Sequence, residues 1–185
     1  MTLAEFLADV VKRLDDASIE YMIAGSVASS IHGEPRTTRD VDIVIEVTED
    51  SLRALFSSLD RFAVYVDETP PGQRFAAGDM FNLLDLHGGW KVDLIVRKDR
   101  AFSGVEFARR QHADVLGVSV MVATAEDVIL TKLEWAARSG SSRQVDDARG
   151  IVAVQRRALD REYLRRWAAE LGVSGLLAEI LIESA

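Results

Sequence analysis

Cysteine is absent from this chain. That removes disulfide frameworks, thiolate zinc sites and cysteine nucleophiles at once, and it accords with a reducing compartment. Positive charge is scarce: 22 Lys and Arg stand against 30 Asp and Glu, a formal net charge of −8. Such a chain is a poor non-specific binder of nucleic acid, because a local basic patch must first overcome phosphate repulsion. No apolar stretch approaches the roughly 20 residues needed to span a bilayer, and the N-terminus lacks a charged leader followed by an apolar run. Internal repeats and low-complexity tracts are missing too. What is present is material for a core. Apolar residues fill 48% of 185 positions, enough for one domain or for one domain with a helical appendage. The expectation is a soluble, cytoplasmic globular protein with no membrane partner.

Periodicity then divides the chain. Leu3, Phe6, Leu7, Val10, Val11 and Leu14 form one helical stripe, opened by Thr2 and Glu5 at capping-box spacing. Tyr21 to Ala24 fits a buried strand, Ser26 to His32 a short helix with Gly33 as a left-handed stop, and Val41 to Val47 a strand. A helix is expected after Thr48 and a strand over Phe62 to Val66; Thr69 to Gly72, with its two prolines, marks an exposed loop. Met80 to His87 and Trp90 to Val96 read as a hairpin turning at Gly88 and Gly89. Arg97 to Gly104 is polar and turn-rich, and Val118 to Ala123 is one more strand. From Thr124 the chain reads as helical: one helix to about Arg138, a second from Arg143 to Arg157, then Asp160 to Leu171 and Ser174 to Ser184. Hairpin and crossover connections together predict a mixed sheet. The expected organisation is an α/β (α+β) core over residues 1–123 and an all-helical subdomain over residues 124–185.

The chemistry concentrates between Met22 and Glu46. Strand side chains alternate faces, so Asp40 and Asp42 point the same way. Two carboxylates on one face are costly unless positive charge sits between them. A divalent metal is the usual answer, and hard oxygen ligands favour magnesium or manganese over zinc. The structural alternative is that Asp40 caps a turn and Asp42 pairs with Arg39 or Arg36. Gly25 after a strand lets backbone approach a ligand, the following helix start presents amides to phosphate, and Ser26 adds a hydroxyl; Ser26 could equally be a simple N-cap. Arg36 and Arg39 could meet phosphate or ribose, or merely neutralise acidic neighbours. A third carboxylate is available in the hairpin. Asp93 is preferred because its strand leads into a polar, basic loop; Asp85 is the rival, on the opposite face. Either could instead form an ion pair, with Lys91 or Arg97. Together these residues point to metal-assisted transfer of a nucleotide.

Gly25 and Ser26, a spacer, Asp40 and Asp42, then Asp93 resemble the polymerase β-type nucleotidyltransferase superfamily. The resemblance implies that Asp40, Asp42 and Asp93 hold two magnesium ions, that Asp93 helps deprotonate an acceptor hydroxyl, and that Gly25 and Ser26 hold the triphosphate of an NTP, with Arg39 beside them. A second resemblance lies in Lys132 to Arg138 followed by Arg143 to Asp147. It is similar to later motifs of the AbiEii-like nucleotidyltransferase toxins, as is the opening segment with His32, Gly33 and Arg36 to Asp42. That similarity implies Lys132 on an NTP phosphate, Asp147 in or beside the site as an assisting base, an RNA, tRNA end or protein as acceptor, and an antitoxin protein as partner. Gln144 stands where that family often has an aspartate, and many of its members are much longer. From the residues alone, Lys132 shares a helical face with Val128 and Trp135, and Asp147 a stripe with Ile151 and Val154. Snorkelling would explain Lys132 and an i,i+4 pair with Arg143 would explain Asp147. Trp90, Trp135 and Trp167 are expected in the core, and Arg156, Arg157, Arg161, Arg165 and Arg166 on a solvated face. Two other functions fit the same residues: a catalytically weak nucleotide- or partner-binding module, and a small-molecule nucleotidyltransferase of the antibiotic-modifying kind.

Overall fold

The computed structural model describes residues 1–38, 40–59, 64–66 and 78–183. The chain divides into two compact units, Met1–Ile23 with Thr38–Val122, and Ala24–Thr37 with Ala123–Ala185.

Among the described residues, the first unit is built on a seven-stranded mixed sheet. Its strands are β1 (Glu20–Ile23), β2 (Asp40–Glu46), β3 (Val64–Val66), β4 (Met80–Asp85), β5 (Lys91–Val96), β6 (Gln111–Val115) and β7 (Val118–Val122), in the order β3-β4-β5-β2-β1-β7-β6. β2 runs parallel to β5 and β1 parallel to β7; the other pairs are antiparallel. Alternation sorts the two faces. Val41, Ile43 and Ile45 of β2 share the buried face with Val92 and Leu94 of β5 and Phe81 and Leu83 of β4. Helix α1 (Leu3–Asp16) packs against β1, β7 and α3 (Glu49–Ser58), contributing Phe6, Leu7, Val10, Val11 and Leu14. Phe56 of α3 meets the edge of Phe81 at 5.2 Å between ring centroids, which sets both helices on the apolar face. The expected caps are in place: Thr2 and Glu5 close a capping box on α1, and Thr48 with Ser51 closes one on α3. The opposite face of β2 and β5 carries Asp40, Asp42, Lys91 and Asp93.

Two elements escaped the pattern. Ala101–Ala108 forms a helix, α4, where a turn-rich loop was expected. Ser103 and Gly104 are weak helix formers, and Arg100 at the N-cap accepts no backbone amide with its side chain, donating to Ser103 Oγ instead, so no local signal announces it. β6 is a polar strand with only Val115 buried, and it lacks the apolar alternation that marks a strand. The hairpin is also wider than a two-residue turn at Gly88 and Gly89. β4 ends at Asp85 and β5 begins at Lys91, while the Gly89 amide donates to the Asp85 carbonyl. The expected loop at Thr69 to Gly72, and Phe62 in the strand expected before it, lie outside the described residues.

The second unit is helical: α2 (Gly25–His32), α5 (Ala125–Ser139), α6 (Ser142–Gln155), a 3-10 turn (Arg156–Ala158), α7 (Arg161–Glu170) and α8 (Ser174–Glu183). Thr124 caps α5, and Gly140 ends it in the left-handed region. Gly33 does not act as a left-handed stop, having φ −128°. Its role is close approach. A Cβ there would lie 2.8 Å from the Ile151 amide nitrogen of α6. Gly33→Ala is therefore expected to destabilise the protein by about 1–3 kcal/mol through overpacking, measured as a lower urea midpoint at unchanged slope. Buried His32 hydrogen-bonds the Ala123 carbonyl at 2.7 Å, and Gln155 donates to the His32 carbonyl at 2.8 Å. Trp167 is buried as expected, whereas Trp135 is 56% exposed. Among the described residues, no helix is long and apolar enough to cross a membrane.

Candidate active site

The acidic face is assembled by strand register. In the parallel β2–β5 pair, Asp42 stands directly beside Asp93, and Asp40 beside Lys91. Partners in a ladder share a face, so residues more than fifty positions apart in sequence come together with Asp40. The three carboxylates grade inward: Asp40 is exposed, Asp42 half-buried and Asp93 buried. Lys91 lies among them and donates from Nζ to Asp93 Oδ2 at 2.9 Å. That hydrogen bond holds the Lys91 ammonium above its ordinary pKa. Partial burial opposes the shift, and the charges of Asp93, Asp40 and Asp42 add to it. The ion pair expected as an alternative for Asp93 thus exists, with Lys91; Arg97 pairs with Glu46 at 2.9 Å instead.

Asp93 Oδ1 is buried and has no hydrogen-bond partner among the described residues. A buried carboxylate oxygen left unsatisfied is costly, and a cation would satisfy it. The donor set on this face is all oxygen, the chemistry that suits magnesium or manganese. Among the described residues no three acidic or histidine side chains are arranged as a ready-made cage for an ion; the positive group at Asp93 is Lys91. The carboxylates suit a divalent metal in donor chemistry, and β2 and β5 put them on one face, but among the described residues they do not close a coordination set.

Asp85 has other work. Its carboxylate is fully buried and accepts the amides of His87 at 3.1 Å and Gly88 at 2.8 Å, which ties the loop between β4 and β5. Asn82, not Asp85, stands opposite Asp93, so the two aspartates occupy opposite faces, as their spacing predicts.

In the second unit a polar cluster gathers Ser26, Arg36, Lys132 and Asp147. Gly25 opens α2 with φ 58°, a left-handed conformation that glycine adopts without penalty. The helix cap is Ala24, with no side-chain hydrogen bond, so Ser26 is not an N-cap. The first amides of α2 lack intrahelical acceptors, as at any helix start. Instead the Ser26 hydroxyl accepts a hydrogen bond from Arg36 Nη2. Arg36 also clamps Asp147 in a two-point contact, Nε to Oδ1 and Nη2 to Oδ2, both at 3.1 Å. Lys132 Nζ donates to Asp147 Oδ2 at 2.7 Å. Both partners of this last pair are nearly closed off, with side chains 6% and 9% exposed.

Burial by itself would raise the Asp147 pKa. The Lys132 hydrogen bond and charge, and then those of Arg36, outweigh it and hold the carboxyl below its ordinary value of 3.8. The i,i+4 pair with Arg143 considered for Asp147 is replaced by Arg36 and Lys132. Lys132 is inward-facing alongside Val128 and Leu133, while Trp135, expected on its face, is exposed; Val154, expected on the Asp147 stripe, is 55% exposed, and Ile151 is buried. Within the cluster two cations share one carboxylate, leaving one positive charge over. Sequence reasoning singled out all four residues but not their union. Arg36 to Asp147 spans 111 positions, beyond any local signal. Arg39 lies outside the described residues. Arg156, Arg157, Arg161, Arg165 and Arg166 are exposed, the solvated face that was expected.

No family model matches the sequence, and no curated protein does. Solved structures match across most of the chain. An antigenic nucleotidyltransferase-like protein from Paracoccidioides brasiliensis is 20% identical, covering 96% of this chain and 90% of its own, with a TM-score of 0.61. The antibiotic-resistance factor ANT(2″)-Ia, in complex with adenylyl-2″-tobramycin, is 14% identical over 93% of this chain and 98% of its own, with a TM-score of 0.62. The lincomycin-bound lincosamide antibiotic adenylyltransferase LnuA is 10% identical over 83% of this chain and 98% of its own, with a TM-score of 0.54. At these identities the likeness is one of architecture: the chain has the nucleotidyltransferase fold, with its mixed sheet, flanking helices and helical C-terminal part.

Proposed function

We propose that this protein is a metal-dependent nucleotidyltransferase that moves NMP from an NTP to a hydroxyl acceptor and releases pyrophosphate. The observation that carries this reading is the β2–β5 register, which aligns Asp42 with Asp93 on the face that also bears Asp40. In this reading Asp40, Asp42 and Asp93 hold magnesium or manganese. When bound, the metal supplies charge stabilisation to the phosphoryl oxygens and leaving group. Asp93, the most buried of the three, accepts the acceptor hydroxyl's proton. Gly25 and Ser26 offer backbone amides and a hydroxyl to the triphosphate. Lys132, with Arg39, adds positive charge toward phosphate, supported by the surplus charge of the Arg36–Asp147–Lys132 cluster. Asp147 orients those cations, and the assisting-base role that the resemblance implies would require it to leave one of its two ion pairs. The proposed division into a catalytic core over 1–123 and a helical subdomain over 124–185 differs from the two compact units at residues 24–37 and 123, which belong to the helical unit.

The sequence motifs favour an RNA end or a protein as acceptor, in a toxin–antitoxin setting with an antitoxin partner. A small-molecule acceptor is the second reading. Its support is length: the antibiotic adenylyltransferases ANT(2″)-Ia and LnuA are each covered over 98% of their own chain. The net charge of −8 also disfavours a polynucleotide.

Incubation with each α-labelled NTP and Mg²⁺, offering total RNA, protein or metabolite fractions separately, tests the proposal. Label transferred to one fraction, with pyrophosphate released, supports an enzyme and names its acceptor class. Tight NTP binding without release across all fractions would instead favour a nucleotide-binding module.

A further inference from the structure

Lys91 stands where a cation belongs. It faces Asp40 across the β2–β5 ladder, one alternation from the Asp42–Asp93 pair, on the same side of the sheet. Its Nζ takes Oδ2 of Asp93, whose side chain is only 9% exposed and whose Oδ1 has no partner among the described residues. A buried carboxylate needs positive charge close by, and in this protein the chain itself provides it. The Lys91 side chain is 35% exposed. Its flexible stem can therefore carry the ammonium out to water without stranding it.

We propose that Lys91 is a built-in counter-cation that competes with a divalent metal for Asp93, so that metal enters only as the ammonium leaves Oδ2. This rests on the reading of Asp40, Asp42 and Asp93 as metal-binding acids. An oxygen already engaged by an ammonium is a poorer metal ligand, and a positive charge within a few ångströms repels a divalent ion. The same ammonium compensates the acidic face while no metal is bound. Lys91 is thus a positioning residue that sets metal affinity rather than a group that touches substrate.

Titrating Mn²⁺ into the full-length protein, with free Mn²⁺ followed by electron paramagnetic resonance, gives a direct readout. Wild type is expected to bind weakly. Lys91→Met is expected to bind about tenfold more tightly, a scale set by one near charge, and Lys91→Gln should behave likewise if the methionine variant folds poorly. Lys91→Arg, which keeps the charge, should stay near wild type. Thermal unfolding should move with it: Mn²⁺ should raise the Tm of Lys91→Met more than that of wild type, and adding Asp93→Asn should erase the gain. A purely structural lysine would not tighten metal binding when removed. If wild type binds Mn²⁺ and neither neutral variant binds it better, the counter-cation role is overturned while the metal-binding reading stands. If no variant binds Mn²⁺ at millimolar concentration, both fall together.

Discussion

Asp42→Ala is expected to lower NMP transfer by about 10³-fold or more while leaving the protein folded. Metal-held charge stabilisation contributes several kcal/mol to such a transition state, and each 1.4 kcal/mol or so is a factor of ten in rate. Asp42 is half-buried on the polar side of β2, away from the Val41, Ile43 and Ile45 face that α1 and α3 cover. Removing its carboxylate also relieves repulsion from Asp93 beside it. Its circular dichroism should therefore match wild type, while Tm is expected to move only slightly because the attraction to Lys91 is lost as well. Single-turnover transfer of labelled NMP, run on both proteins at equal folded concentration, makes the comparison; transfer by the variant at the wild-type rate would refute the assignment. Asp85→Asn supplies the contrast. Asp85 ties the β4–β5 loop through the His87 and Gly88 amides, so its loss should lower stability and leave activity per folded molecule nearly intact.

Asp147→Ala is expected to produce the largest loss of stability. It strands Lys132, whose side chain is 6% exposed, beside Arg36 with no carboxylate between them. Breaking a buried pair from one side costs about 3–5 kcal/mol. Arg36 is 25% exposed and can rehydrate, which places the expectation near the lower end, about 3 kcal/mol. Urea unfolding measures it. The double variant Lys132→Met with Asp147→Ala should recover part of the loss, because no unpaired ammonium remains; a loss below about 0.5 kcal/mol for Asp147→Ala would mean that the network contributes nothing. The pH dependence has a defined sign. The folded Asp147 carboxyl sits below its ordinary value, so the unfolded chain binds a proton first as pH falls. Its stabilisation is complete above the unfolded carboxylate pKa of about 3.9 and is lost as pH drops through the lower folded value. Asp147→Asn should therefore flatten the acid limb of the stability profile in that window, seen as a smaller change in Tm below about pH 4.

These two residues also show how far local reading reaches. That Asp40 and Asp42 share a face follows from the two-residue strand period, and the apolar stripe of α1 with its Thr2 cap follows from the helical one. Both are backbone geometry, present in any short window. Where the windows were polar or Gly-containing, as in α4 and β6, the signal vanished and the elements were missed. Trp135 fits a helical stripe yet points to solvent, since periodicity names a face without saying what covers it.

The amino-acid order alone therefore determined the elements with strong periodicity, their caps, the acidic doublet and the choice of Asp93 as its candidate third member. Tertiary structure decided who meets whom. It placed Asp42 beside Asp93, put Lys91 on the same face, set Asp85 at the end of β4 to tie the following loop, and closed Arg36 on Asp147 across 111 positions. The reason is physical: a residue's face is fixed by the dihedral repeat of its own few neighbours, whereas its partner is chosen by strand register and helix packing, which only the burial of the whole core selects.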